Sequence, residues 1–209
     1  MEREHGEAGR VVFLNGTSSA GKSSIARELQ RRAAGPLLVA GVDTFLSMLQ
    51  ERYFGDPEGF EVVTVSMTPQ TRRVRPGPVG RRLLAGFHSS VAGLARAGID
   101  VVVDDVVLDR WCLEDYVRAL DGLDVVIVGV RCSVEVAAER EKQRGDRTIG
   151  LARGHHETAH EHVAYDVEVD TSASTIAECA DAIEAILANP PEKRAFDSVR
   201  ERRRASPNR

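Results

Sequence analysis

Short, β-branched apolar runs alternate along this chain with longer stretches in which apolar residues return at helical spacing. The runs predict five strands: Arg10 to Asn15, Leu37 to Ala40, Ile99 to Val107, Asp124 to Arg131 and Tyr165 to Asp170. The periodic stretches predict helices over Lys22 to Ala33, Val79 to Ala97, Trp111 to Asp121, Val134 to Arg144, Ala152 to Val163 and Ser174 to Leu187, the last capped by Ser174. A shorter helical pattern runs through Phe45, Leu46, Met48 and Leu49. Residues 53–80 are rich in Gly and Pro and read as a loop-rich insertion with a small strand near Val62 to Met67. Strands that alternate with helices imply an α/β fold, a parallel sheet of five strands flanked by helices. Right-handed crossovers then put every strand's C-terminal end on one edge, where ligands bind.

That edge carries the most specific motif. Gly16-Thr17-Ser18-Ser19-Ala20-Gly21-Lys22-Ser23, followed by Ser24, fits G-x-x-x-x-G-K-[ST] between a predicted strand and a predicted helix. Glycines at both ends allow a tight turn whose N–H groups cradle phosphates, and the helix adds its positive end. Lys22 is expected to reach the β- and γ-phosphates of ATP, and Ser23 to ligate Mg²⁺. The fold expected is therefore a P-loop NTPase over residues 10–189. Residues 1–9 read as a flexible arm. Residues 190–209, with seven Lys or Arg against three Asp or Glu, read as a charged, disordered tail.

Other candidates fall on the same edge. Asp43, after strand two, is placed to take a proton from an attacking hydroxyl, or else to cap the helix that follows. Asp104 and Asp105 end an apolar strand and alternate between its faces; Asp105 is the expected Mg²⁺ ligand and Asp104 a substrate-orienting group. Arg140, Arg144 and Arg147 share a helix face that continues into a turn, which suits a lid that neutralises a transferring phosphoryl group. Phe45, Met48, Tyr53 and Phe54 can wall an acceptor site or simply join the core. His156-Glu157-Thr158-Ala159-His160 matches the zinc-binding pattern H-E-x-x-H, with Glu178 as a conceivable third ligand, yet a strand follows at once.

A net charge of −4 argues against nucleic acid as a partner. Three cysteines without C-x-x-C spacing suit a reducing compartment. No apolar stretch approaches the length of a membrane span, and the polar N-terminus has no apolar signal core, so a cytoplasmic location is expected.

Several stretches together resemble the chloramphenicol phosphotransferase family: Leu14 to Ser24, Gly41-Val42-Asp43, Asp104-Asp105-Val106, Val128 to Cys132, Arg144 to Arg147 and Tyr165 to Thr171. They run in the family's order and span most of residues 11–188. The resemblance implies an ATP-dependent O-phosphotransferase acting on a hydroxyl of a small antibiotic, chloramphenicol or a nucleoside such as a capuramycin-type compound. It makes Asp43 the catalytic aspartate and gives His160-Glu161 no zinc role. Residues 51–82 depart from the chloramphenicol enzyme and carry Arg72, Arg73, Arg75, Arg81 and Arg82, which suit a polar or acidic acceptor. A metabolic small-molecule kinase, a sugar-nucleotide kinase resembling zeta toxins and a plain ATP-binding module are the alternatives.

Overall fold

A computed structural model of the chain describes residues 7–205 other than 146, 147, 157 and 162. Five parallel strands, β1 (Val11–Asn15), β2 (Leu37–Gly41), β5 (Asp100–Asp105), β6 (Val125–Arg131) and β7 (Val167–Asp170), form one sheet in the order β2-β5-β1-β6-β7. β1 is central, and all five of its residues are buried. Valines dominate β1, β5 and β6 because branched side chains pack well on a sheet covered on both faces.

Strand alternation divides the core in two. Val11 and Phe13 point into a cluster with α3 (Pro78–Arg96) and α4 (Arg110–Ala119). Val12 and Leu14 point into the other, with α1 (Lys22–Arg32) and α7 (Ile176–Ala188). Between β2 and β5 the chain makes α2 (Val42–Leu46), a 3₁₀ turn at Glu51–Tyr53 and a hairpin of β3 (Phe60–Met67) with β4 (Gln70–Pro76). After β6 come α5 (Val134–Arg144), α6 (Leu151–His156) and a 3₁₀ turn at Thr158–His160.

Four expectations change. The segment read as loop-rich is a hairpin, whose second strand, β4, was hidden by its three arginines. The cap of α7 is Thr175, not Ser174: its hydroxyl accepts from Glu178 N–H while the Glu178 carboxylate accepts from Thr175 N–H. Residue 9 of the expected arm is buried and donates to Ala95 O at 2.7 Å, so only residues 1–6 lie outside the description. Most of all, the charged tail carries helix α8 (Ala195–Ala205), which packs on the sheet. Phe196 is 0% and Val199 8% exposed, one helical turn apart on a single face. Arg200 donates to the carbonyls of Leu120 and Leu123 beside the end of α4, and Arg194 pairs with Asp124. A segment average hides two apolar residues among seven cations. No described helix is long and apolar enough to cross a membrane.

Because Phe196 belongs to the core, Phe196→Ala should cost about 3–5 kcal/mol in equilibrium urea unfolding. A solvated tail would give less than about 0.5 kcal/mol.

Candidate active site

The turn between β1 and α1 is shaped by close approach. A Cβ at residue 16 would lie 2.4 Å from Val130 O on β6, so only glycine fits beside that strand. Ser19 (φ 62°) and Gly21 (φ 95°) are left-handed, which turns successive N–H groups toward a common centre. The first turn of α1 holds no acidic residue, and Gly21 offers no side-chain cap. Its N-terminal N–H groups are thus available to an anion. The hydroxyls of Ser18 and Ser19 are buried with no hydrogen-bond partner among the described residues, a costly state that phosphate oxygens would relieve. Lys22 is 7% exposed and donates from Nζ to the carbonyls of Gly16 (2.9 Å) and Thr17 (3.0 Å), with Asp104 Oδ1 at 3.9 Å. The donor set fits a nucleoside triphosphate.

The loop is braced from behind. Thr17 Oγ1 donates to Ala152 O on α6 at 2.8 Å. Ala20 O accepts from the Thr171 hydroxyl at 2.7 Å. Thr171 in turn receives Arg140 twice, on its hydroxyl and its carbonyl, both at 2.9 Å. Arg140 is thereby fixed against the loop it is expected to serve.

β5 runs beside β1 with Leu14 opposite Asp104 and Asn15 opposite Asp105. Asp104 therefore shares the face of Leu14, over which α1 packs, and its Oδ2 accepts from Ser23 Oγ at 2.5 Å. Asp105 points to the other face, where Tyr116 OH donates to it at 2.5 Å and Val106 N–H at 2.7 Å. This reverses the division of labour read from the sequence: the carboxylate beside Ser23 is Asp104, and Asp105 is held by the core. Burial pushes Asp105 up to about 7, against the lowering effect of its hydrogen bonds and of Lys22.

A cleft of about 550 Å³ opens over the loop. Ser18, Ser19, Gly21, Lys22, Ser23, Ser24, Asp43, Asp104, Asp105, Arg140 and Arg144 all line it. Asp43 is the second residue of α2, with Gly41 at the cap position, and is exposed toward the cleft. Gly16, Thr17 and Ala20 form the loop without lining the cleft. Sequence reasoning missed Arg27, Gln143 and Ile176 on its rim. The first two could have been found from helical spacing, since Arg27 follows Ser24 by three and Gln143 follows Arg140 by three.

Other expectations do not converge on this cleft. Phe45 packs against Phe87 at a tilt, their ring centres 5.3 Å apart, Met48 is 74% exposed, and Tyr53 packs against Gly59 beside the hairpin; none of the three lines the cleft. Arg147 lies outside the described residues, as does Glu157 of the H-E-x-x-H pattern. His156 bonds Cys132 O, His160 bonds Tyr165 OH and Glu178 is spent on its cap, so this set has no shared centre. Arg73 donates to Gly154 O, Arg75 pairs with Glu61, and Arg81 pairs with Asp109 while stacking on Trp111. Of Arg72, Arg73, Arg75, Arg81 and Arg82, Arg75 and Arg81 are thus paired with acids.

The hairpin is fastened to α6. Arg72 N–H donates to Gly150 O at 2.9 Å and Val74 N–H to His155 Nε2 at 3.2 Å. A Cβ at Gly154 would lie 1.7 Å from Arg72 O, so the two backbones touch. Glu141 of α5, 1% exposed, accepts from Gly150 N–H and Ala152 N–H, both at 2.7 Å. One short helix thus joins the loop after β1, α5 and the hairpin.

Comparison with known proteins gives this arrangement relatives. Residues 9–188 match the family described as chloramphenicol phosphotransferase-like protein. A protein of Mycobacterium tuberculosis strain H37Rv, provisionally named O-phosphotransferase Rv2636, is 32% identical, with 93% of this chain and 89% of that protein covered. Among solved structures, the M. tuberculosis APS kinase CysC in complex with AMPPNP and APS superposes with a TM-score of 0.61 at 17% identity, covering 88% of this chain and 99% of that one. A gluconokinase from Sinorhizobium meliloti gives 0.58 at 21% identity, covering 89% and 94%. The tunicamycin resistance protein of Deinococcus radiodurans gives 0.60 at 16% identity, covering 86% and 95%. At these identities the structural likeness is one of fold.

The anchor at His155 has a pH signature. Its Nε2 accepts a hydrogen bond and must be unprotonated, and burial, with Arg73 and Lys22 adding, lowers it from 6.5 to about 4. The unfolded chain takes up this proton first, so the stabilisation is complete above pH 6.5 and is lost as pH falls toward 4. That shift corresponds to about 3 kcal/mol. His155→Gln should flatten the acid limb of urea-unfolding stability by that order, leaving the part owed to His88 and His160, which burial lowers likewise to about 4. An unchanged limb would mean that His155 is not linked to folding.

Proposed function

This chain belongs to the chloramphenicol phosphotransferase-like family and is a small-molecule kinase with a hydroxyl acceptor, and we propose that it uses ATP and Mg²⁺ to phosphorylate a small hydroxylated antibiotic. The observation that carries the nucleotide half is the loop itself: buried, unpartnered serine hydroxyls, a lysine within it and a Ser23–Asp104 contact at its mouth. In this reading residues 16–24 hold the triphosphate, and Ser23 with Asp104 holds Mg²⁺. ATP supplies the phosphoryl group, and the metal neutralises charge that develops on it.

The chain's own work is positioning. Asp43 accepts the proton of the acceptor hydroxyl and aims its oxygen. Lys22, Arg140 and Arg144 surround the transferring group with positive charge in a site that excludes much of the water. The acceptor enters on the side of α2 and the hairpin. Arg75 and Arg81 are paired with acids within the protein, so they are not offered to the acceptor. The name of the Deinococcus relative, a tunicamycin resistance protein, adds an antibiotic-linked protein of the same fold.

The test is ATP-dependent phosphorylation, read by mass, across chloramphenicol, capuramycin-type nucleosides and other hydroxylated antibiotics. One compound should gain a single phosphate. Asp43→Asn should lower that turnover by roughly 10²–10⁴-fold with ATP affinity retained, as for loss of a general base. If only sugars or metabolic alcohols are phosphorylated, the antibiotic reading falls and the kinase stands.

A further inference from the structure

A second cluster of reactive side chains lies on the face of β5 opposite Ser23, and it shares with the cleft only Asp105, whose carboxylate is turned to Tyr116. His88 of α3, Cys112 of α4 and Asp105 of β5 are 0%, 1% and 4% exposed. One nitrogen, the sulfur and one carboxylate oxygen of these residues all lie within 4.8 Å of one another. His88 Nε2 is 4.0 Å from Cys112 Sγ. Its other nitrogen, Nδ1, is 2.6 Å from Asp115 Oδ2, and Asp115 is held in turn by Arg118. Burial lowers His88 to about 4, so the ring is neutral at ordinary pH. The carboxylate against Nδ1 favours the tautomer with its proton there, which turns the Nε2 lone pair toward the thiol. A carboxylate behind an imidazole is the device that orients metal-binding histidines.

We propose that His88, Asp105 and Cys112 bind a divalent metal ion of the zinc class. The site is distinct from that of the nucleotide's Mg²⁺, and the inference does not depend on the kinase reaction. Sulfur, imidazole nitrogen and carboxylate oxygen together suit zinc and exclude magnesium, which takes oxygen ligands. Zinc bonds of about 2.0–2.3 Å set tetrahedral donors about 3.3–3.8 Å apart, so closure needs movements of about 1 Å. On binding, the Cys112 thiol gives its proton to solvent and the sulfur bonds the metal. The dication then faces one thiolate and one carboxylate, leaving no net charge in the core. A metal here would pin the end of β5, where the preceding residue, Asp104, meets Ser23.

The experiment titrates the intact chain, purified in chelator and reductant, with Co²⁺ alone and then with Zn²⁺. One Co²⁺ per chain should bind with a near-ultraviolet thiolate-to-cobalt band, and Zn²⁺ should bleach that band and raise Tm. Cys112→Ser should abolish the band. Asp115→Asn, at a residue that of the three proposed ligands bonds His88, should keep the band and weaken affinity by about 10–100-fold. The absence of a sulfur band in the folded wild type would overturn the site and leave a hydrogen-bonded thiol. A band that survives in Cys112→Ser would assign it to Cys132 or Cys179 and overturn it equally. No readout uses ATP or an acceptor, so failure here is separate from failure of the kinase reading.

Discussion

β1 is hydrogen-bonded in parallel on both sides, to β5 and to β6, and the site follows from that register. The strand ends at Asn15, level with Asp105 and Gly129, so the loop that follows must turn directly over the ends of both neighbours. Its first glycine meets Val130 O, and its helix lands on the face of Leu14. Asp104, register partner of Leu14, is therefore beneath Ser23, and Asp105 is turned away into α4. A slip of one residue in this pairing would exchange the two carboxylates and bury the wrong one.

Rigid scaffolding surrounds the loop more than the loop stabilises itself. Its Ser18 and Ser19 hydroxyls lack partners among the described residues, whereas Thr17, Ala20 and Lys22 are tied to α6, Thr171 and the loop carbonyls. Strain and unmet hydrogen bonding are thus concentrated where phosphates would bind, and the surrounding structure holds them in place. The same short helix, α6, reaches the hairpin. The phosphate loop and the hairpin are consequently linked through the backbone of this one helix, which accepts from Thr17 on one side and from Arg73 on the other.

Much of this was legible in the sequence. The five strands of the main sheet and the phosphate loop were legible because branched runs and paired glycines have few alternative uses. Asp43, Arg140 and Arg144 were legible because each follows a strand or shares a helix face, and all three line the cleft. The face of each acid in Asp104-Asp105 was not, because alternation says only that the two differ; which one meets Ser23 depends on where α1 packs. β4 was hidden by charge, its arginines being spent on Glu61 and on the carbonyl of Gly154. The anchoring of α8 by Phe196 was hidden by the charge of its neighbours. The grouping of His88, Asp105 and Cys112 joins three elements far apart in sequence, and no local pattern announces it.

The account rests on Asp104, with Ser23, forming the metal-facing side of the nucleotide site. The most direct measurement is the affinity for AMPPNP with and without Mg²⁺, by calorimetry, in wild type, Asp104→Asn and Asp105→Asn. The account predicts that Mg²⁺ strengthens binding in wild type and Asp105→Asn and gives no gain in Asp104→Asn. A metal-dependent gain kept by Asp104→Asn and lost by Asp105→Asn would contradict it.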